Sequence, residues 1–435
     1  MSSSSLPRQA PVNVAALKTA FSSGGFIVGA AAYAAIVGDL ALHDRRLAIG
    51  AAAIGLLAGI VAENLARLAI VAAAGVWLIE RVPGNISVTD VLVALAGVAA
   101  ALSGAGEAIN PRGRLVLRSF AFYLATLSIT LVFNHSFRSD FEWFHRIALV
   151  TGAICVGAWL VVAGLERSAL RLALAIATCF ASVTLVEGAA SGFGRTINPL
   201  GYQKNFIGSI LATILITLLA AHRRFGLSSR VIRASALVLL GGLFASHSRG
   251  AMVALAVGVL IWFFRGPREA NRRLRVAAVV AAIGVSIFTG VSVWGELHQG
   301  SGRHNSLTIR SEVEKQTRDL WVHHPWTGVG LRFFKTPRYA GYQAPNNVID
   351  EIAAEAGVFG ILGFLVFVGG ALIGLGRLQG DLATAGLCVL AARFAHGLFD
   401  IYWTGGTTTL AWIVAGMGLA GASVIRPSPA APAQD

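Results

Sequence analysis

The chain has 435 residues, of which 55% are hydrophobic and only 13% are charged. Soluble domains carry about 25% charged residues, so this composition, with a mean hydropathy of +0.70, excludes an ordinary soluble protein. The net charge of +14 does not indicate a nucleic-acid partner in a chain of this kind. Cys155, Cys179 and Cys388 all lie inside apolar runs, so neither a disulfide framework nor a thiolate metal site is predicted.

Apolar runs of the length of a membrane span recur along almost the whole chain. A span needs about 20 mostly apolar residues, and such runs lie at 23–40, 64–80, 86–104, 114–133, 143–164, 169–187, 205–221, 231–246, 249–265, 275–294, 352–376, 380–399 and 404–424. A shorter run at 47–61 is a further span or a half-helix. The sequence therefore predicts an all-α integral membrane protein with about 12–14 transmembrane helices, the first of which is an uncleaved span.

Arginine-rich short loops give the orientation of these spans, because such loops stay on the cytoplasmic side. Two of them stand out, at 222–233 and 265–275. The segments that then lie on the extracytoplasmic face are those at 188–204, 246–250 and 295–350. The basic turn at 43–46 also lies outside in this arrangement, unless the run at 47–61 does not span.

The stretch at 295–350 is the longest polar segment between predicted spans. It holds seven basic residues, five acidic residues and four of the ten histidines. Residues 306–322 contain neither Gly nor Pro and are predicted to be helical, whereas prolines interrupt the segment that follows. The predicted organisation is a transmembrane region at 1–294, an extracytoplasmic loop at 295–350, C-terminal transmembrane helices at 351–425 and a disordered tail at 426–435. No internal repeat indicates the two halves of a transporter.

Three arginines are predicted at the outer membrane interface: Arg195, Arg249 and Arg310. Arginine stays protonated and presents a planar pair of donors that matches the oxygens of a phosphate. Together these arginines could bind a lipid pyrophosphate and stabilise it as a leaving group. The alternative is structural, because arginines at a membrane edge also anchor helices.

Acidic and imidazole groups flank the same segments. Glu351 and Glu355 lie four residues apart and share one face of a helix, so they could hold the arginines, act as a base, or form a structural ion pair. His396 and Asp400 have the same spacing near the outer end of a late span and could line the same cavity. Further candidates for substrate binding are Lys204, Asn205, His324, Asn346 and Asn347. Asp140 and Glu142 form a carboxylate pair, but pairs at that spacing are common by chance, so no metal site is predicted.

Four short motifs follow one another in a characteristic order: Gly201-x-x-x-Asn205, Ser248-Arg249-Gly250-Ala251, Arg310 followed by Pro325-x-x-Gly328-Val329-Gly330, and Glu355-x-Gly357-x-x-Gly360. Over about 190–365 the chain resembles the O-antigen ligase and polymerase superfamily, which comprises bacterial membrane enzymes that move lipid-linked glycans. Each motif alone is weak. The ordered set, with the long loop between its members, is fairly specific.

The resemblance implies a GT-C-like helical glycosyltransferase in the bacterial plasma (inner) membrane, with its active site on the extracytoplasmic face. It implies a polyprenyl-pyrophosphate-linked glycan donor, a glycan or glycolipid acceptor, surrounding membrane lipids, and neither a metal nor a cofactor. By motif match the arginines that bind pyrophosphate are Arg195, Arg249 and Arg310. The predicted catalytic residues are Arg249, Arg310, Glu351 and Glu355.

One position departs from the family pattern. Ligases usually show His-Asn where this chain has Asn346-Asn347, and a neutral amide cannot act as a general base. This departure favours a polymerase or another glycan transferase of the superfamily over a ligase. Two rival interpretations remain: a polytopic secondary transporter or lipid-linked glycan flippase, and a metal-dependent glycosyltransferase that uses Asp140 and Glu142.

Overall fold

The computed structural model describes residues 64–78, 81–82, 86–193, 198–266, 306–335, 341–400 and 407–422, with isolated residues at 276, 280 and 284. The chain divides into two compact units, Met1–Leu68 and Ala69–Asp435, and nearly all of the described residues belong to the second. Several predicted features lie outside the described residues: the runs at 23–40 and 47–61, the turn at 43–46, most of the loop at 265–275 and of the run at 275–294, Arg195, and the tail at 426–435.

The described residues are mainly α-helical, and the helices are numbered here in chain order. They are α1 (Arg67–Ala74), α2 (Val88–Leu102), α3 (Arg114–Phe133), α4 (Phe137–Val162), α5 (Glu166–Ala190), α6 (Lys204–Phe225), α7 (Ser229–Ala245), α8 (Arg249–Arg265), α9 (Ser306–His323), α10 (Val348–Gly376), α11 (Asp381–Gly397) and α12 (Thr407–Gly421). Short 3₁₀ turns lie at Gly75–Trp77, Ala105–Ala108, Pro111–Gly113, Pro199–Gly201 and Phe333–Lys335. Two antiparallel strands, β1 (Arg81–Val82) and β2 (Ile86–Ser87), pair Arg81 with Ser87 and Val82 with Ile86.

Five helical segments in the described part of the chain are long and apolar enough to cross a membrane: Pro111–Phe133, Phe137–Val162, Glu166–Ala190, Lys204–Phe225 and Val348–Gly376. The prediction of an all-α integral membrane protein is thereby confirmed. The number of 12–14 spans stays a prediction, because several of the predicted runs lie outside the described residues. Helix α9 forms where the sequence predicted a helix inside the long polar stretch.

Local sequence explains where several helices begin. Ser87 and Asp90 form a capping box at α2, in which each side chain accepts a hydrogen bond from the backbone N–H of the other. Ser136 caps α4 by accepting from the N–H of Ser139. Asn347 caps α10 by accepting from the N–H of Ile349 at 2.9 Å. These caps satisfy backbone donors that the first turn of a helix leaves free.

Small residues let the central helices approach each other closely. Helix α10 packs along α3, while α4 packs against α12 and α12 against α11. A Cβ added at Gly370 would lie 2.3 Å from the Cβ of Ser119, and one added at Gly157 would lie 2.0 Å from the carbonyl oxygen of Ile413. Close packing through small residues is the usual source of helix association in membranes. It brings the polar positions of α3, α4, α10 and α11 into one interior.

Candidate functional site

Helix α10 is interrupted at Gly357, whose backbone angles (φ 64°, ψ −158°) are not helical. The break frees carbonyl groups of the preceding turn, and the loop after α9 supplies their donors. The N–H of Val329 donates to the carbonyl of Ala354 at 2.8 Å, and the N–H of Gly330 donates to that of Glu355 at 3.0 Å. Two predicted motifs, Pro325–Gly330 and Glu355–Gly360, therefore dock on each other through their backbones.

The docking of this loop on α10 requires glycine at positions 328 and 357. A Cβ added at Gly328 would lie 2.3 Å from the carbonyl carbon of Glu355, and one added at Gly357 would lie 2.3 Å from the carbonyl oxygen of Trp326. Both glycines also have positive φ angles, of 65° and 64°, which side chains disfavour. Any larger residue at either position would separate the loop from α10.

The turn between α3 and α4 fixes the same loop from the other side. Asn134 Nδ2 donates to the carbonyl of Gly328 at 3.1 Å, and Ser139 Oγ donates to the carbonyl of Leu331 at 3.3 Å. Arg332 follows at once, with a positive φ of 64°. Its guanidinium lies 4.7 Å above the ring of Phe141 and is directed toward α4.

The break in α10 places Glu355 in a buried group of charged side chains. We call this group the buried ion cluster; its members are Glu142, Arg146, Arg332, Lys335, Glu351 and Glu355. Glu142, Arg146 and Glu355 are each at most 2% exposed. Arg146 Nε donates to Glu142 Oε1 at 3.2 Å and Nη2 to Glu355 Oε2 at 3.5 Å. Its Nη1 donates to the Tyr123 hydroxyl at 2.7 Å.

The positive charges of the cluster come from the docked loop as well as from α4. Arg332 Nη1 lies 3.4 Å from Glu142 Oε2. Glu142, followed by Glu351 and Glu355, raises the pKa of Lys335, so this lysine stays protonated. Three carboxylates thus face three cations. One hypothesis from the sequence has the glutamates holding Arg195, Arg249 and Arg310; the described ion pair of Glu355 is with Arg146.

Two oxygen atoms of the cluster have no hydrogen bond to any described residue. Glu351 Oε2 and Glu355 Oε1 are buried and have no hydrogen-bond partner in the described part of the chain. Burying a polar atom without a hydrogen-bond partner is costly, and ionisable groups inside membrane segments usually serve function. The predicted pair on α10 therefore offers two acceptor oxygens to a ligand.

A second polar group lies at the end of α11. His396 Nδ1 lies 3.2 Å from Arg393 Nη1 and 3.5 Å from Asp400 Oδ2. A Cβ added at Gly250 would lie 3.4 Å from His396 Cδ2, so the first turn of α8 packs against this histidine. Asp400 also acts electrostatically on Glu351. The structure therefore brings the predicted residues His396, Asp400 and Glu351 into one region.

The first two sequence motifs meet at the starts of α6 and α8. Ser248 Oγ donates to Asn205 Oδ1 at 3.0 Å, across 43 residues of chain. A Cβ added at Gly208 would lie 2.6 Å from the Cβ of Ser248. Lys204 and Arg249 are the first residues of these two helices. The Ser248–Asn205 hydrogen bond therefore holds the first turns of α6 and α8 together, and with them the backbone positions of Lys204 and Arg249.

Other predicted residues lie apart from these contacts. His324 is exposed at the end of α9, where its backbone N–H donates to the carbonyl of Leu320. Arg310 is half-buried on α9, a helix that packs against α10. Asn346 is half-buried, and the side-chain oxygen of Asn347 is engaged in capping α10.

Sequence reasoning missed several members of the site: Tyr123, Arg146, Arg332, Lys335 and Arg393. It considered Glu142 only as a metal ligand, with Asp140. In the structure Glu142 pairs with Arg146, and Asp140 lies 3.2 Å from His135 Nε2. No group of three His, Cys, Asp or Glu side chains suited to a metal occurs in the described part of the chain. A signal was present, because Arg146 and Arg393 are charges inside apolar runs.

Residues 234–365 match the family model of O-antigen ligase. The resemblance to the O-antigen ligase and polymerase superfamily is confirmed. The matched range contains α8, α9, the docked loop and the first part of α10 with Glu351, Glu355 and Gly357. Asn205, the α4 side of the buried ion cluster and the whole of α11 lie outside it. No curated protein matches the chain. The match supports an O-antigen ligase-type enzyme in a helical membrane protein, with a general role in polysaccharide biosynthesis.

Proposed function

We propose that this protein transfers or polymerises a glycan from a polyprenyl-pyrophosphate-linked donor onto a glycan or glycolipid acceptor. Its active site would face the extracytoplasmic side of the bacterial plasma membrane. The observation that carries the proposal is a pair of buried oxygens on the broken helix α10, Glu351 Oε2 and Glu355 Oε1, which have no hydrogen-bond partner among the described residues and lie within the matched range. A glycosyl transfer needs an acceptor for the proton of the attacking hydroxyl, and these oxygens supply one.

Glu355 is the better placed of the two to take that proton. Its Oε2 lies 3.5 Å from Arg146 Nη2, and this contact orients the carboxylate so that Oε1 is left for the acceptor hydroxyl. Arg146 is itself held by Glu142 and Tyr123. A glutamate held in this way can replace the histidine that ligases have where this chain has Asn346.

The arginines supply the other half of the proposed reaction. Arg249 and Arg310, with Arg195, would bind the pyrophosphate and stabilise its charge as the glycosidic bond breaks. The acceptor hydroxyl would attack the anomeric carbon from the opposite side, its proton passing to Glu355. This single displacement inverts the anomeric configuration and needs no metal or cofactor.

The test is transfer by the purified protein, given a lipid-linked oligosaccharide and followed by the chain length or acceptor attachment of the product. Glu355→Gln should lower turnover about 100-fold or more, since a positioned base contributes about 10²–10⁴-fold. Glu107→Gln, which changes an exposed glutamate, is the matched control and should be silent. Wild-type protein that never changes the donor's chain length or acceptor would refute the proposal.

Asn346 separates proton transfer from substrate orientation. We expect Asn346→Ala to be milder than Glu355→Gln, and Asn346→His to retain activity. If Asn346→Ala were as damaging as Arg249→Lys while Glu355→Gln was silent, Asn346 would be a hydrogen-bond donor to substrate and the base assignment would be wrong.

A transporter or flippase for lipid-linked glycans is the second candidate, favoured by the break in α10. Broken helices with charged residues beside the break are common in transporters. Detergent-solubilised protein distinguishes the two, because it separates no compartments. A transferase still forms product in detergent, whereas a transporter leaves the donor unchanged.

A further inference from the structure

Arg393 is a buried arginine on which Asp400 acts electrostatically without forming an ion pair. It lies in α11, outside the range that matches the O-antigen ligase family, and is 5% exposed. Its Nη1 lies 3.2 Å from His396 Nδ1. Its Nε and Nη2 are buried and have no hydrogen-bond partner in the described part of the chain. No described carboxylate forms an ion pair with its guanidinium.

These two nitrogens, which have no partner among the described residues, form one edge of the guanidinium plane. The Nε–H and Nη2–H bonds point the same way and match two oxygens of one phosphate or carboxylate group. The edge that His396 uses is a different one. Because arginine stays charged, a bare guanidinium inside a membrane protein is costly, and an anion on this edge would remove that cost.

His396 has a second nitrogen, Nε2, that is unpartnered among the described residues and lies on the side of its ring away from Arg393. Its Nδ1 accepts from Arg393 Nη1 at 3.2 Å, whereas Asp400 Oδ2 is farther away, at 3.5 Å. An Nδ1 that accepts leaves the proton of a neutral imidazole on Nε2. His396 Nε2 is also buried without a partner among the described residues, and a Cβ added at Gly250 would lie 3.5 Å from it. The donor therefore faces the first turn of α8, where Arg249 begins the helix.

We propose that Arg393 is an oxyanion-binding residue, whose Nε–Nη2 edge binds two oxygens of a phosphate or carboxylate group of the substrate. The anion comes from the pyrophosphate of the donor lipid or from the carboxylate of an acidic sugar. This step rests on the proposed function only for the identity of the substrate. Anion binding itself needs no turnover.

The experiment measures binding of inorganic pyrophosphate and of glucuronate to the purified full-length protein by calorimetry. Arg393→Lys keeps the charge but loses the paired donors, so we expect affinity for one of the two anions to fall about tenfold or more. Arg377→Lys, which changes an exposed arginine, is the matched control and should bind as the wild type does. Loss for pyrophosphate alone assigns the lipid pyrophosphate; loss for glucuronate alone assigns an acidic sugar.

A second measurement uses the unaltered protein, in case Arg393→Lys does not fold. A cryo-EM map is determined for the wild-type protein with each anion present, and density for one anion is expected within hydrogen-bond distance of Arg393 Nε and Nη2. The proposal is wrong if Arg393→Lys binds both anions as the wild type does, or if neither map shows density there. Transfer activity is measured separately. If the wild-type protein bound the anion but transferred no glycan, the proposed function would be wrong and the anion site at Arg393 would still be supported.

Discussion

Removing the guanidinium of Arg146 should destabilise the protein more than any exposed charge does. Arg146 is 1% exposed and contacts Glu142, Tyr123 and Glu355 at 3.2, 2.7 and 3.5 Å. Breaking a buried ion pair by removing one partner costs about 3–5 kcal/mol. Glu142 keeps Arg332 Nη1 at 3.4 Å, whereas Glu355 loses its described ion-pair partner. We therefore expect Arg146→Met to cost about 3 kcal/mol, the lower end of that range.

The assay is denaturant unfolding of the detergent-solubilised protein, followed by the fluorescence of its nine tryptophans. Arg138→Met, which changes an exposed arginine on the same helix, should alter the free energy of unfolding by less than about 0.5 kcal/mol. The double variant Arg146→Met with Glu142→Gln should cost less than the sum of the single variants, because it removes a cation and a carboxylate together. If Arg146→Met were as mild as Arg138→Met, or if the double variant were strictly additive, the buried ion cluster would not stabilise the fold in this way.

The remaining predictions concern the docked loop, the first turn of α8 and the topology. Gly357→Ala should lower the melting temperature and the activity, because the added Cβ would lie 2.3 Å from a carbonyl oxygen. Gly369→Ala, on the same helix, is the control: its added Cβ would meet no atom within 4 Å, so it should leave the melting temperature unchanged or raise it. Arg249→Lys should strongly reduce turnover at near-normal abundance in the membrane, since it keeps the charge but loses the paired donors; equal loss of protein and activity would indicate a structural arginine. A topology reporter fused within 295–350 should give an outside signal and one within 265–275 an inside signal, and the reverse would overturn the assignment of the site to the outer face.

Hydropathy along the sequence determined the helices with little help from tertiary structure. The apolar runs at 114–133 and 249–265 coincide with α3 and α8, and the polar helix expected at 306–322 is α9. Agreement of this kind is expected, because the apolar length needed to cross a membrane is fixed by the thickness of the bilayer. The order of the motifs likewise identified the superfamily before any contact was known. The order of the motifs did not show why they contain glycine, because the glycines are required by a backbone contact between segments that are distant in sequence.

Only the tertiary structure decided which charges meet. Glu355 and Arg146 lie 209 residues apart, and nothing in their spacing pairs them. One of the hypotheses from the sequence paired these glutamates with Arg195, Arg249 or Arg310. Which ion pair forms depends on which helices are adjacent and on the break at Gly357, which allows the loop of Arg332 and Lys335 to dock beside Glu355. The hydrophobicity of a residue depends on its own side chain, so apolar helices can be predicted from the sequence. An ion pair depends on a distance of a few ångströms between two side chains, and only tertiary packing sets that distance.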